Sequence, residues 1–196
     1  MAFSGSITLA SGIGNMLRGV DFPYGLTFIG EGAFRNNLLS AIVIPDSVVH
    51  IGPNAFQNNQ LNSVYIPISI TRIMANTFSN NRLVTVDIPS GVEYIDFWAF
   101  SRNQLESVNI LGRVKHIGTG AFANNLLTTI SIPASVTFIM QGAFEGNHIT
   151  SVEIGDGVAL SWGGGGFNYN FANFYIEHGL VAGHYALVDG AWFFSP

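Results

Sequence analysis

The sequence predicts a right-handed, β-rich repeat solenoid of short parallel strands, finished by a small C-terminal capping module. Three observations predict it. Phenylalanine recurs at steps of 22 residues as Phe34, Phe56, Phe78, Phe100, Phe122 and Phe144. Asparagine does so at Asn37, Asn59, Asn81, Asn103, Asn125 and Asn147, and isoleucine at Ile44, Ile66, Ile88, Ile110, Ile132 and Ile154. Three different residue types held in one register mark supersecondary units stacked on their neighbours.

The elements follow from one period. Ile42 and Ile44 flank Val43, an alternation that predicts a short strand with one buried face. Pro45 ends it, because proline cannot donate to a ladder. Equivalent strands are expected at Val64–Ile66, Val86–Ile88, Val108–Ile110, Ile130–Ile132 and Val152–Ile154, paired in parallel. A second apolar pair, Val48 with Ile51, recurs as Ile70/Ile73, Val92/Ile95, Val114/Ile117 and Val136/Ile139, and predicts a second extended segment across the coil. The Ala-Phe step then turns the chain back with the ring in the core; only Thr77 interrupts the alanine column. The asparagine column is read as an internal ladder that satisfies backbone groups of adjacent coils, since buried backbone needs such partners. Asn36, Asn58, Asn80 and Asn124 are read as turn formers, because asparagine tolerates left-handed backbone.

Composition sets limits. The charged fraction is 10%, the hydrophobic fraction 48% and the net charge −5. A nucleic-acid partner held by a basic surface is disfavoured, and no apolar run approaches the ~18 residues of a membrane helix. There are no cysteines, so redox compartment is not constrained. The first residues lack the basic and apolar segments of a secretory signal, and the chain reads as a fragment of a longer exported protein.

The string Ile44-Pro45, Val48, Ile51-Gly52, Ala55-Phe56 resembles the BspA-like leucine-rich repeats of bacterial surface proteins. The resemblance spans roughly residues 7–158, with asparagine at Asn37 and its equivalents where family repeats carry cysteine, and with one residue fewer per repeat. It implies a leucine-rich-repeat-like fold and an extracellular or cell-surface protein used in adhesion and protein binding. It implies no catalytic residues.

The domain reading is a solenoid over 1–160, with 1–28 a degenerate N-terminal repeat, and a module over 161–196. In that module Asn170 would cap a helix from Phe171 to His178, with Gly179 as its stop. His184–Val188 and Ala191–Phe194, joined by Asp189-Gly190, read as a β-hairpin covering the solenoid end. Gly163–Gly166 lacks the strand and helix context of a nucleotide loop and reads as a joint.

Chemistry is sparse. His50 and His116 lie three coils apart, roughly 14 Å at ~4.8 Å per strand, too far for one metal. His178 and His184 straddle a turn without a third ligand. The carboxylates Asp21, Asp87 and Glu153 never occupy adjacent coils, and no Gly-x-Ser-x-Gly elbow occurs. No catalytic, metal or cofactor residue is therefore assigned, and no cofactor is expected.

Recognition is expected instead from an outward row. Arg72, Tyr94, Phe97, Trp98 and His116 form the candidate ligand-contact face, where Asp96-Phe97-Trp98 replaces the usual Gly-x-Gly or Gly-x-Asn. The rival is the first-strand strip of Tyr65, Asp87 and Asn109. The expected function is a non-catalytic protein-binding module. The alternatives are a carbohydrate or cell-wall binder with a glycan partner, and a structural spacer.

Overall fold

The computed structural model describes residues 5–7, 16–161, 167, 169–189 and 191–196. It is a solenoid of about six turns built from short parallel strands on two sides of a common core. Along one side run β1 (Gly5–Ile7), β2 (Leu26–Ile29), β3 (His50–Ile51), β4 (Arg72–Ile73), β6 (Tyr94–Ile95), β8 (His116–Ile117), β10 (Phe138–Ile139) and β12 (Ala159–Leu160). They form two parallel ribbons, β1-β2-β3 and β4-β6-β8-β10-β12. On the other side lie β5 (Thr85–Ile88), β7 (Ser107–Ile110), β9 (Thr129–Ile132) and β11 (Ser151–Ile154).

This other side corrects two expected strands. Ile42–Ile44 and Val64–Ile66 are not strands; a single bridge between Val43 and Tyr65 is what remains of their pairing. The sheet is also divided, because β5 pairs with β7 and β9 with β11 in separate sheets. Proline explains the pattern. Where two strands pair, the residue after the upper one donates to the lower: Leu111 N–H to the Ile88 carbonyl at 3.0 Å, and Gly155 N–H to that of Ile132 at 2.9 Å. Pro67, Pro89 and Pro133 stand at the same place in the other coils and have no N–H to give. The ladder survives only where that proline is missing.

Alternation buries Val86, Ile88, Ile130, Ile132, Val152 and Ile154 while their neighbours face out. Between the two strand sides stands a column of phenyl rings. Phe34, Phe56, Phe78, Phe100, Phe122 and Phe144 are buried, and successive centroids lie 5.4–5.6 Å apart with near-parallel planes. Thr77, in the alanine column, is buried with its hydroxyl donating to the Met74 carbonyl at 2.8 Å.

Asparagine amides tie each coil to the one before. Asn59 Oδ1 accepts from Leu39 N–H at 3.1 Å, and its Nδ2 donates to the carbonyls of Phe34 (2.8 Å) and Phe56 (3.1 Å). Asn81, Asn103 and Asn125 repeat this bonding one coil further each time. Asn147 does the same with Leu127, Phe122 and Phe144, and Asn37 accepts from Leu17 and donates to the Phe34 carbonyl. Each amide uses its acceptor and both donor hydrogens, so little of its capacity is left for anything outside. The preceding residues Asn36, Asn58, Asn80 and Asn124 take φ of +54° to +58°, and Arg102 shares their column at +55°.

After β12 the period ends. Helix α1 runs Tyr169–Glu177, and the hairpin is β13 (Gly183–Val188) with β14 (Ala191–Ser195). The helix thus starts two residues before, and the hairpin is longer than, the sequence suggests. Gly163–Gly166 and Gly190 lie outside the described residues. β13 pairs antiparallel with β11, so the hairpin extends the β9/β11 sheet sideways. Phe167 continues the ring column, 5.0 Å from Phe144, and leads to Phe171 at 4.8 Å. Tyr175 and Tyr185 are fully buried beside it. Burial, followed by the neighbouring Tyr185, pushes the Tyr175 phenol up to about 12, and burial raises Tyr185 as well.

Two predictions follow from this packing. Asn81→Ala strands the Leu61 N–H and takes one of two amide donors from each of the Phe56 and Phe78 carbonyls, and should destabilise by ~1–3 kcal/mol. A variant that melts like the wild type would remove the amide from the account. For Tyr175, the fold favours the neutral phenol. Its contribution is full below the unfolded value of ~10 and is lost as pH rises through about 12. The difference in phenolate absorbance between wild type and Tyr175→Phe should show this group titrating near 12 together with loss of structure. Titration near ~10 with the fold intact would contradict it.

Candidate functional site

The second strand side carries one outward residue per coil: Phe28, His50, Arg72, Tyr94, His116 and Phe138. Parallel register places Tyr94 directly between Arg72 and His116. Tyr94 stacks on the His116 ring with centroids 5.4 Å apart and planes within 5°, and the Arg72 guanidinium carbon lies 5.3 Å from the tyrosine centroid. Phe28 and His50 stack at 4.6 Å two coils below.

Asp96, which the sequence reading did not single out as a site residue, holds this column in place. Arg72 donates to it through Nε (2.9 and 3.0 Å) and one terminal nitrogen (2.8 Å), a bidentate fork. The hydrogen bond to Asp96 raises the guanidinium pKa further. The guanidinium is thereby fixed over the Tyr94 face, a preorganised cation–π pair. One coil up, Lys115 and Glu93 pair at 2.8 Å on the exposed edge, which lowers the Glu93 carboxyl and raises the Lys115 amine.

Phe97 and Trp98 follow Asp96 directly. Both are about half exposed, at 49% and 47%, and their rings meet edge to face at 5.7 Å. Trp98 has φ +54°. Its column holds Gly32, Asn54, Asn76, Gly120 and Gly142, all likewise left-handed. An indole is the exception among residues suited to that backbone. The ring lies over Gly120, where an added Cβ would meet Trp98 Cδ1 and Nε1 at 2.3 Å. A larger residue at Gly120 could not coexist with this indole pose. The structure therefore joins Arg72, Tyr94 and His116 in one stack and Phe97 with Trp98 in an adjoining pair, connected through Asp96.

The rival strip is differently built. Tyr65, 54% exposed, donates its hydroxyl to Asp46 Oδ1 at 2.8 Å, and this bond raises its pKa. Asn109 donates to Asp87 at 2.6 Å, and Ser131 to Glu153 at 2.9 Å. Along this strip the polar groups pair with one another.

At the far end of the strip Ser151 Oγ and His184 Nε2 are 2.8 Å apart, beside a hollow of about 360 Å³ lined by Ser131, Glu153 and Gly183. Their separation of 33 residues carries no periodic signal, and sequence reasoning missed the pair. Glu153 bonds Ser131 and, among the described residues, no carboxylate bonds the other His184 nitrogen, so the orienting member of a hydrolytic triad is missing. His178 bonds the Phe174 carbonyl at 2.7 Å. No group of three His, Cys, Asp or Glu capable of holding a metal occurs among the described residues, and no described helix is long and apolar enough to cross a membrane.

Comparison with known proteins completes the picture. The family model described as the BspA type leucine rich repeat region matches six copies, over residues 14–128 and 50–172. No curated protein matches. A leucine-rich repeat protein from Bacteroides ovatus ATCC 8483 is similar in crystal structure, with 24% identity and a TM-score of 0.45 over 73% of this chain. This chain spans about half of that one, 47%. With the family repeat matched through most of its length, this chain belongs to the BspA-type leucine-rich repeat family.

Proposed function

We propose that this chain is a non-catalytic protein-binding module of an adhesive bacterial surface protein, and that it binds through Arg72, Tyr94, Phe97, Trp98 and His116. Family membership supports an interaction module of a surface-associated repeat protein. The observation that carries the choice of face is Trp98, a half-exposed indole on left-handed backbone at a position its repeats give to glycine or asparagine. Such a backbone costs on the order of 1–3 kcal/mol and persists where the surroundings enforce it, often at functional sites. Aromatic anchors with a fixed arginine are the side chains that dominate protein interfaces.

The rival contact is the Tyr65, Asp87 and Asn109 strip, with Tyr65 as an exposed platform beside the Asp46 carboxylate. A glycan is the alternative partner, and a spacer role the reading if nothing binds. Immobilised extracellular-matrix proteins and a glycan array provide the partners. Tyr94→Ala and Trp98→Ala should each weaken protein binding by about 2 kcal/mol or more, roughly thirtyfold. If Tyr65→Ala and Asp87→Ala alone weaken it, the face is wrong. Binding on the glycan array alone would replace protein by carbohydrate.

Trp98→Asn separates function from folding. Asn54 and Asn76 already adopt this conformation at the equivalent sites. The variant should melt at or above the wild-type temperature while binding is lost. A fall of several degrees would mean that packing on Gly120 is the reason for the indole.

A further inference from the structure

We infer that Arg113, with Leu111 beside it, is a carboxylate-binding site at the edge of the Tyr94 and His116 stack, and that its ligand is a polypeptide segment in which Asp or Glu adjoins apolar residues. The inference rests on the protein-binding face proposed above and names the chemistry of its partner. Arg113 is the exception in its column, where the equivalent residues are Gly25, Ser47, Ser69, Gly91, Ser135 and Gly157. The serines tie coils together: the hydroxyls of Ser47, Ser69 and Ser135 donate to the Leu26, Val48 and Gly112 carbonyls one coil back at 2.6–3.0 Å. Gly91 is required by space, since an added Cβ would meet the Ile68 carbonyl oxygen at 2.1 Å. Arg113 makes no such tie. Among the described residues neither a hydrogen bond nor an ion pair holds its guanidinium. Leu111 departs from the repeat as well. Its N–H closes the ladder onto Ile88, but Gly155 makes the equivalent bond with no side chain at all. The leucine side chain is 63% exposed, and the ladder does not require it. Residues that break a local rule of the fold without a local return mark functional positions.

Charge selects the occupant. Over the segments 68–75, 90–97 and 112–119 the charged residues are Arg72, Arg113 and Lys115 against Glu93 and Asp96, a net +1 within a chain of −5. Both carboxylates are already engaged, Asp96 by the Arg72 fork and Glu93 by Lys115 at 2.8 Å. Glu93 is lowered first by Lys115 and last by Arg113, which places Arg113 at the rim of that pair. The cation left over is Arg113. The neighbouring Tyr94 hydroxyl is likewise unbonded among the described residues. A guanidinium offers parallel N–H groups that match a carboxylate bidentately. A sulfated glycan or a nucleic acid is held by a row of uncompensated cations, and one such cation on an acidic chain does not provide it. An acidic peptide needs only that one, and its apolar side chains find Leu111, Phe97 and Trp98. Arg113 lies seven columns from Trp98, so about seven residues of extended chain at ~3.3 Å each reach from one to the other.

The test is selection of a displayed library of random dodecapeptides on the intact chain, followed by fluorescence-anisotropy titration of the recovered peptides. These should be enriched in Asp or Glu next to apolar residues. Replacing that acid by its amide, or Arg113→Ser in the protein, should weaken binding about tenfold or more. Arg113→Ser restores the residue type of the column and should melt no lower than the wild type. Arg113→Lys keeps the charge without the fork and should recover only part of the affinity. Recovered peptides without acidic enrichment, or acidic peptides that bind Arg113→Ser as tightly as the wild type, overturn the site. So does a library that yields no binder, or binding of a sulfated oligosaccharide in place of peptide. The two readings fail separately. Peptides that depend on Arg113 but ignore Tyr94→Ala and Trp98→Ala support the carboxylate site and remove the aromatic face, and the opposite dependence does the reverse.

Discussion

The solenoid depends on the primary amide of one asparagine per coil. Each coil leaves a turn where the Phe carbonyl and a leucine N–H point along the stack with no strand to receive them. The Asn81 side chain takes the Leu61 N–H and two phenylalanine carbonyls, one from each of two successive coils. A buried group left unsatisfied costs ~1–3 kcal/mol, and here two would be left at each turn. Because the partners belong to different coils, this satisfaction is available only to a stack. A coil by itself has neither the partner nor the buried phenyl neighbour.

That constraint leaves the two strand sides free to differ. The side bearing Arg72 and Tyr94 forms a ribbon of five strands from β4 to β12, each set against the last in register. Its outward residues are therefore stacked ring on ring, and a charge placed on one coil can fix a side chain on the next, as Asp96 does for Arg72. The opposite side is interrupted by its prolines, and its outward groups bond each other in pairs. Surface chemistry thus follows from backbone continuity.

The fold was legible because the period is strict. Phe34 to Phe144 and Asn37 to Asn147 can be placed on one line by counting, and solenoid and strand direction follow from that line; the family rests instead on the resemblance of the Ile44-Pro45, Val48, Ile51-Gly52, Ala55-Phe56 string. The proline interruption could have been read as well, from Leu111 and Gly155 standing where other coils carry proline. The unusual backbone of Trp98 is visible as the exception in a column of glycine and asparagine. Geometry added what counting cannot supply. The Arg72–Asp96 fork joins residues 24 apart, one coil plus two, and only the turn after β6 brings them together. Ser151 and His184 meet because the hairpin folds back antiparallel onto β11, in a module that shares no period with the rest.

Native-state hydrogen exchange at the leucine amides held by the asparagine column tests the central claim most directly. Leu39, Leu61, Leu83 and Leu105 donate not to backbone but to Asn Oδ1. If the amides bind the coils into one cooperative unit, these four N–H groups should exchange only through global or multi-coil opening, as slowly as Val86 and Ile130 in the strands. Exchange at the rate of exposed turn amides, with the strands still protected, would show that the stack is held without the column.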